Sequence, residues 1–195
     1  MKKVIVVLFS IIIVLVVSIL AANLFLNKNA NYTNNLDSKK TVVVYYSNSN
    51  HTKYVANLIS EYLKCDIKEI TTNEYKNLNV LNLAKTVRKQ MRSSYNPKIN
   101  DIDISNYDVI FVGGPVWAGN LSLPVKSFLT DNDLSNKTIV PFYTFGGMTD
   151  KTKLDNKVKE LSKSKRVLPS FLTVCYKFGF IEFRLTNWLN KINLD

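Results

Sequence analysis

Thr41-Val-Val-Val-Tyr-Tyr-Ser-Asn-Ser-Asn-His-Thr-Lys-Tyr-Val-Ala-Asn-Leu-Ile-Ser-Glu-Tyr-Leu63 is the stretch that decides how the chain folds. Its first six residues, Thr41 to Tyr46, are β-branched and aromatic with no polar alternation, the pattern of a strand covered on both faces. From Thr52 to Leu63 the apolar residues Val55, Ala56, Ile59 and Leu63 recur at helical spacing. Between the two lies Ser47-Asn48-Ser49-Asn50-His51-Thr52, which holds no apolar residue and leads straight into the helix. A buried strand, a short polar turn and an amphipathic helix make the first half of a β-α-β unit.

The same alternation continues toward the C-terminus. Further strands are expected at Asp66–Ile70, Asp108–Val112, Thr138–Tyr143 and Val167–Val174. Helices are expected at Leu78–Arg92 (Val80, Ala84, Val87 and Met91 on one stripe), Leu123–Leu129, Asp150–Lys163 (Leu154, Val158 and Leu161) and Ile181–Ile192. Five strands alternating with five helices argue for an α/β fold: one parallel sheet with helices on both faces, because parallel neighbours need right-handed crossovers. In open sheets of this class ligands bind outside the carboxyl ends of the strands. Function is therefore expected in the loops after strands one, three and four.

After strand one, the hydroxyls of Ser47, Ser49 and Thr52 and a helix N-terminus supply donors and a favourable dipole for a phosphate, with no Lys or Arg in the loop. A plain Ser/Thr-capped turn reads equally well from spacing alone. Strand three leads into Gly113-Gly114-Pro115-Val116-Trp117-Ala118-Gly119-Asn120. Its paired glycines remove side chains where a ligand could approach the backbone. Trp117, in a loop at the ligand-binding edge, either stacks on a planar ring or caps the core beneath it. After strand four, Thr144-Phe145-Gly146-Gly147-Met148-Thr149 again keeps backbone amides accessible, with Phe145 or Met148 as a second wall. The sequence has no Gly-x-Gly-x-x-Gly fingerprint, Walker loop or Gly-x-Ser-x-Gly elbow.

These three ordered motifs resemble the flavodoxin family, specifically the small flavodoxin-like proteins with a Tyr-Ser-x-Ser-Gly-x-Thr phosphate loop and a Pro-x-Trp-Trp-Gly flavin loop. Tyr46–Val55 looks like the first motif, Tyr107–Leu129 like the second, and Lys137–Gly147 is similar to the third loop. The resemblance runs from Thr41 to the C-terminus. It implies a flavodoxin-like three-layer sandwich over residues 41–195, with a five-stranded parallel sheet in the order 2-1-3-4-5. It also implies non-covalent FMN, its phosphate held by Ser47, Asn48, Ser49, Asn50, His51 and Thr52. The ring would lie between Pro115, Val116, Trp117, Ala118 and Gly119 on one side and Thr144, Phe145, Gly146 and Gly147 on the other. Two positions depart from the pattern: Asn50 replaces a Gly, although Asn tolerates a left-handed backbone, and Ala118 replaces the second Trp, shrinking one wall. The activity implied is electron transfer with a redox partner protein, and no catalytic residue is assigned. The rival readings are a flavin-dependent NAD(P)H/quinone-type oxidoreductase and a flavin-free interaction domain. A response-regulator receiver of the same fold is excluded, because the acidic pair and phospho-acceptor Asp it needs are replaced by Tyr45-Tyr46-Ser47 and Val112-Gly113.

Upstream, Val4 to Ala22 is a run of nineteen uncharged residues, broken only by Ser10 and Ser18 and preceded by Lys2 and Lys3. As a helix it would cover ~29 Å, close to the hydrocarbon thickness of a bilayer. Residues 1–26 are therefore expected to be one transmembrane helix, membrane-embedded through residues 4–26, and residues 27–40 a polar linker. A cleaved signal peptide is the rival, with Leu20-Ala21-Ala22 as a weak cleavage site, but apolar character resumes at Leu24-Phe25-Leu26. The basic N-terminal flank keeps that end in the cytoplasm and puts the folded domain on the outer side of the cell membrane.

The chain has 26 Lys+Arg against 15 Asp+Glu, a formal net charge of +11. Lys76, Lys85, Arg88, Lys89, Arg92 and Lys98 cluster with no acid between Tyr75 and Asn100. A second group runs from Lys151 to Arg166, diluted by Asp155 and Glu160. Flavodoxins are usually acidic, so this is a departure. An anionic surface touched by the basic helices is the simplest partner, the alternative being solvated helix faces. Nucleic acid is not expected, since the basic runs lack interleaved stacking aromatics. Cys65 and Cys175 would sit on opposite sheet edges ~19 Å apart, too far for a disulfide. The lone His51 makes no metal site.

Overall fold

The computed structural model describes residues 12–19, 40–93, 95–174 and 180–192. The chain divides into two compact units, Met1–Asn35 and Leu36–Asp195. In the first, residues 12–19 are helical and exposed. The rest of the expected span over 4–26, and the linker up to Lys39, lie outside the described residues. Among those that are described, no helix is long and apolar enough to cross a membrane.

The second unit runs β1 (Thr41–Tyr45), α1 (His51–Leu63), β2 (Asp66–Glu69), α2 (Val80–Arg92), β3 (Val109–Trp117), β4 (Asn120–Leu121), α3 (Leu123–Asp131), β5 (Thr138–Phe145), α4 (Lys151–Ser162), β6 (Arg166–Val167), β7 (Phe171–Val174) and α5 (Ile181–Leu189). β1 is buried at every position, as its unbroken apolar run requires. It pairs in parallel with β2 through Val42↔Asp66 and with β3 through Val42↔Ile110. The main path is β2-β1-β3-β5-β6, which keeps the expected succession of rows.

Two departures from the expected five parallel strands make this a sheet of seven. The last row, expected as one strand over Val167–Val174, is broken into β6 and β7, both parallel to β5. Pro169 lies in the break and has no N–H to give to a ladder. The second departure is at β3. It does not stop at Val112 but continues to Trp117 and folds back as the antiparallel β4. Seven residues from Val109 to Pro115 find partners on β5, and that ladder holds the Gly-Gly-Pro stretch extended.

Strand alternation sends Val42, Val44, Ile110 and Val112 to one face, where they share a core with Val87 of α2, Phe128 of α3, and Leu154 and Val158 of α4. The right-handed β1–α1–β2 crossover puts α1 on the other face, and α5, after the last strand, lies there too, where Phe111 meets Trp188 edge-on at 6.1 Å. The stripe expected on α2 is corrected. Asn79 caps the helix by accepting from Asn82 N at 2.9 Å, and the inward row is Leu83, Val87 and Met91. Val80 stands out in solvent at 82% exposure, and Ala84 is exposed. Cys65 is a buried free thiol, and Cys175 lies outside the described residues.

Candidate functional site

Parallel register brings the ends of β1, β3 and β5 to one edge. Tyr46 N donates to Gly113 O at 2.9 Å, and Pro115 is the register partner of Thr144. β5 runs on to Phe145, so Thr144 and Phe145 are strand and not loop as expected, and the end of this strand is tied directly to the first turn of α1. Thr52 Oγ1 and Thr144 Oγ1 share a hydrogen bond of 2.8 Å, with both residues at 1% exposure.

The helix that starts in the first loop has an open N-terminus. Asn50 is its N-cap residue but makes no side-chain cap bond, whereas α2 and α4 are capped by Asn79 and Asp150. The first intrahelical bond is Tyr54 N to Asn50 O at 3.0 Å. The amides of His51, Thr52 and Lys53 thus have no carbonyl four residues back within the helix. Around them, Asn48, Ser49 and Asn50 are exposed, and Ser47 and His51 are half-buried. Ser49 Oγ lies 2.9 Å from His51 Nδ1, and Tyr46 Oη donates to Asn48 Oδ1 at 3.4 Å. A cleft of about 340 Å³ opens here, lined in part by Ser49, Asn50, His51, Thr144, Val174 and Ile181.

Trp117 is the last residue of β3, not part of a loop as expected. Half-buried, it meets Tyr75 edge-on at 5.0 Å and Tyr46 at 5.6 Å. Burial pushes the Tyr46 phenol up to about 12. Tyr75 is raised too, first by burial and then by Glu74. Both rings around the indole are therefore uncharged at neutral pH. Pro115 and Val116 are half-buried beside it, while Ala118 is exposed and Gly119 half-buried.

The glycines divide into two kinds. Gly113 and Gly114 do not open the backbone to a ligand, as their sequence position suggested. Both are buried, and a Cβ on Gly113 would fall within the Phe142 ring, while one on Gly114 would lie 2.6 Å from Val125 Cγ2. Their task is close packing of strand against strand and helix. Gly146 and Gly147 are exposed with open space where a Cβ would stand, so their backbone is accessible as expected. Phe145 is half-buried, but Met148 points into solvent at 98% exposure and forms no wall. Beyond it, Thr149 Oγ1 is buried without a partner. Sequence reasoning missed Tyr46 and Tyr75 as neighbours of Trp117. Their signal was only an aromatic at each end of the β1–β2 region.

The family model for flavodoxin matches residues 40–192. The chain belongs to the flavodoxin family. Among solved structures it is similar to the flavoprotein from Lactobacillus acidophilus NCFM in complex with FMN, at 26% identity and a TM-score of 0.59, covering 69% of this chain and 93% of that one. The apo-form of the flavoprotein from the same organism gives 24% and 0.53, covering 75% and 97%. A candidate flavoprotein from Bacteroides eggerthii DSM 20697 gives 24% and 0.63, covering 77% and 95%. No curated protein matches the chain. In this flavodoxin both departures from the motifs take positive φ. Asn50, at φ 62, supplies the left-handed step into α1, one of the few non-glycine residues suited to it. Ala118, at φ 48, precedes Gly119 at φ 73, and the pair makes the two-residue hairpin turn that joins β3 to β4.

Proposed function

We propose that this flavodoxin binds FMN non-covalently and works as an electron carrier for a partner protein at a membrane. The observation that carries the reading is the open N-terminus of α1, set among the exposed donors of the first loop. Those residues fit a phosphate: the amides of His51, Thr52 and Lys53 and the hydroxyls of Ser47 and Ser49 are donors at the positive end of a helix dipole. Asn48 and Asn50 add side-chain amides, and Ser49 orients the His51 ring. When bound, FMN supplies one- or two-electron exchange at its ring.

The remaining residues position that ring and set its surroundings. Pro115, Val116, Trp117, Ala118 and Gly119 form one wall, with the indole braced edge-on by Tyr46 and Tyr75. Thr144, Phe145, Gly146 and Gly147 form the other, and the Thr52–Thr144 bond keeps the phosphate and ring ends at a fixed separation. The surplus of cations in the chain favours a reduced, negatively charged flavin and raises its potential relative to an acidic relative. The uncharged run from Val4 to Ala22 supports an anchor over residues 4–26, with the domain on the outer side.

The test compares FMN with riboflavin. Two charge-assisted hydrogen bonds at the α1 N-terminus contribute about 3 kcal/mol or more, so FMN binds at least about a hundredfold more tightly. Equal affinity for the two would remove the phosphate-loop role of residues 47–52.

A further inference from the structure

We infer that the outer face of α2 is a docking surface for an anionic lipid bilayer. Taking 100° per residue from the buried Val87, Lys85, Lys89 and Arg92 fall within about 40° of the opposite, solvent side, with Leu81 about 60° and Arg88 about 80° from it. Lys85, Arg88, Lys89 and Arg92 are all exposed. At the N-terminal tip two large apolar side chains stand in solvent, Val80 at 82% and Leu81 at 74%. A soluble helix normally turns such residues inward. Val80, the first residue of the helix, lies about 20° from the line of Val87, whereas Leu81, about 120° from it, is turned toward the basic side.

The cations of this face, Lys85, Arg88, Lys89 and Arg92, have no ion-pair partner among the described residues. The carboxylate that precedes this stretch, Glu74, is already engaged by Tyr95 Oη at 2.8 Å, Gln90 Nε2 at 3.1 Å and Lys98 N at 3.2 Å. A row of long, flexible cations with the exposed Leu81 at its N-terminal end matches an interface in which headgroups take the charges and Leu81 enters the acyl boundary. The inference rests neither on FMN nor on the N-terminal anchor.

The experiment uses the full-length chain with Cys175→Ser and Leu81→Cys, labelled at position 81 with an environment-sensitive fluorophore. Cys65 stays unlabelled because it is buried and its thiol is pushed up to about 12 by that burial. The protein is mixed with vesicles of phosphatidylcholine alone and of phosphatidylcholine with phosphatidylserine. The expected result is a blue-shifted emission on the phosphatidylserine vesicles only, reversed by ~0.5 M salt. Lys85→Gln and Arg88→Gln should each weaken that partitioning about fivefold. A label at Lys53→Cys, on α1 across the sheet, should stay in water. No shift on phosphatidylserine vesicles overturns the inference, whatever acidic protein the face then proves to bind. An equal shift on phosphatidylcholine alone, or an equal shift of the position 53 label, overturns it too.

Discussion

The hydroxyl pair that ties the start of α1 to the end of β5 gives a sharp mutational test. Thr52→Val removes one partner of the 2.8 Å bond and strands Thr144 Oγ1 at a position with 1% exposure. A neutral hydrogen bond adds about 1 kcal/mol net, and leaving its buried partner unsatisfied brings the loss to about 1–3 kcal/mol. At about 2 kcal/mol the Tm falls by roughly 4–8 °C for a unit of this size. Thr144→Val should cost a similar amount. The double variant removes both hydroxyls and puts methyl groups of the same shape in their place, so it should lie within about 1 kcal/mol of the parent, well short of an additive loss of about 4 kcal/mol. Urea unfolding followed by far-ultraviolet circular dichroism measures all four proteins, with the m value expected to stay constant. Additive losses in the double variant, or single variants as stable as the parent, would refute the hydroxyl pair as the tie between α1 and β5.

Ala118→Gly should stabilise the protein, since relief of ~1–2 kcal/mol of left-handed strain outweighs the ~0.5–1 kcal/mol conformational cost of glycine; thermal unfolding reads the difference, expected at about 0.5–1 kcal/mol. Trp117→Ala should weaken FMN binding about tenfold through loss of an aromatic contact worth ~0.5–1.5 kcal/mol, and unchanged affinity would leave Trp117 as a cap over Tyr46 and Tyr75 alone. Stability should fall at alkaline pH. Tyr46 and Tyr107 are raised from 10.0 to about 12, and Cys65 from 9.0 to about 12. The folded state then keeps protons that the unfolded chain gives up above pH 9–10, so the stabilisation is complete below that range and is lost as pH rises toward 12. Urea midpoints that stay level from pH 8 to 11 would contradict this sign.

Much of the architecture is legible wherever the sequence carries one unambiguous period. The unbroken run Thr41–Tyr45 could only be a strand buried on both faces, and the helices α1 and α4 keep their expected apolar rows. The misreadings fall where tertiary pairing overrides local preference. Gly113-Gly114-Pro115 carries every local signal of a loop, yet hydrogen bonding to β5 makes it strand, and the glycines prove to be spaces for Phe142 and Val125. Pro169 was visible as a ladder breaker but lay inside an apolar run long enough to read as one strand. On α2 the expected stripe of Val80, Ala84, Val87 and Met91 holds at Val87 and Met91, where Leu83 joins it, while Val80 and Ala84 in the first turns stay exposed. In the candidate site, the three loops and their convergence were readable from order alone. The Tyr46–Trp117–Tyr75 cluster was not, because Tyr75 arrives from a turn with no period of its own.

The central claim is that this flavodoxin holds FMN. It is tested most directly by titrating the purified full-length protein into a fixed, sub-micromolar FMN solution and following flavin fluorescence. The account predicts saturable quenching with one FMN per chain as the ring enters the space walled by Trp117 and the Gly146-Gly147 loop. Fluorescence that stays constant up to micromolar protein would contradict it.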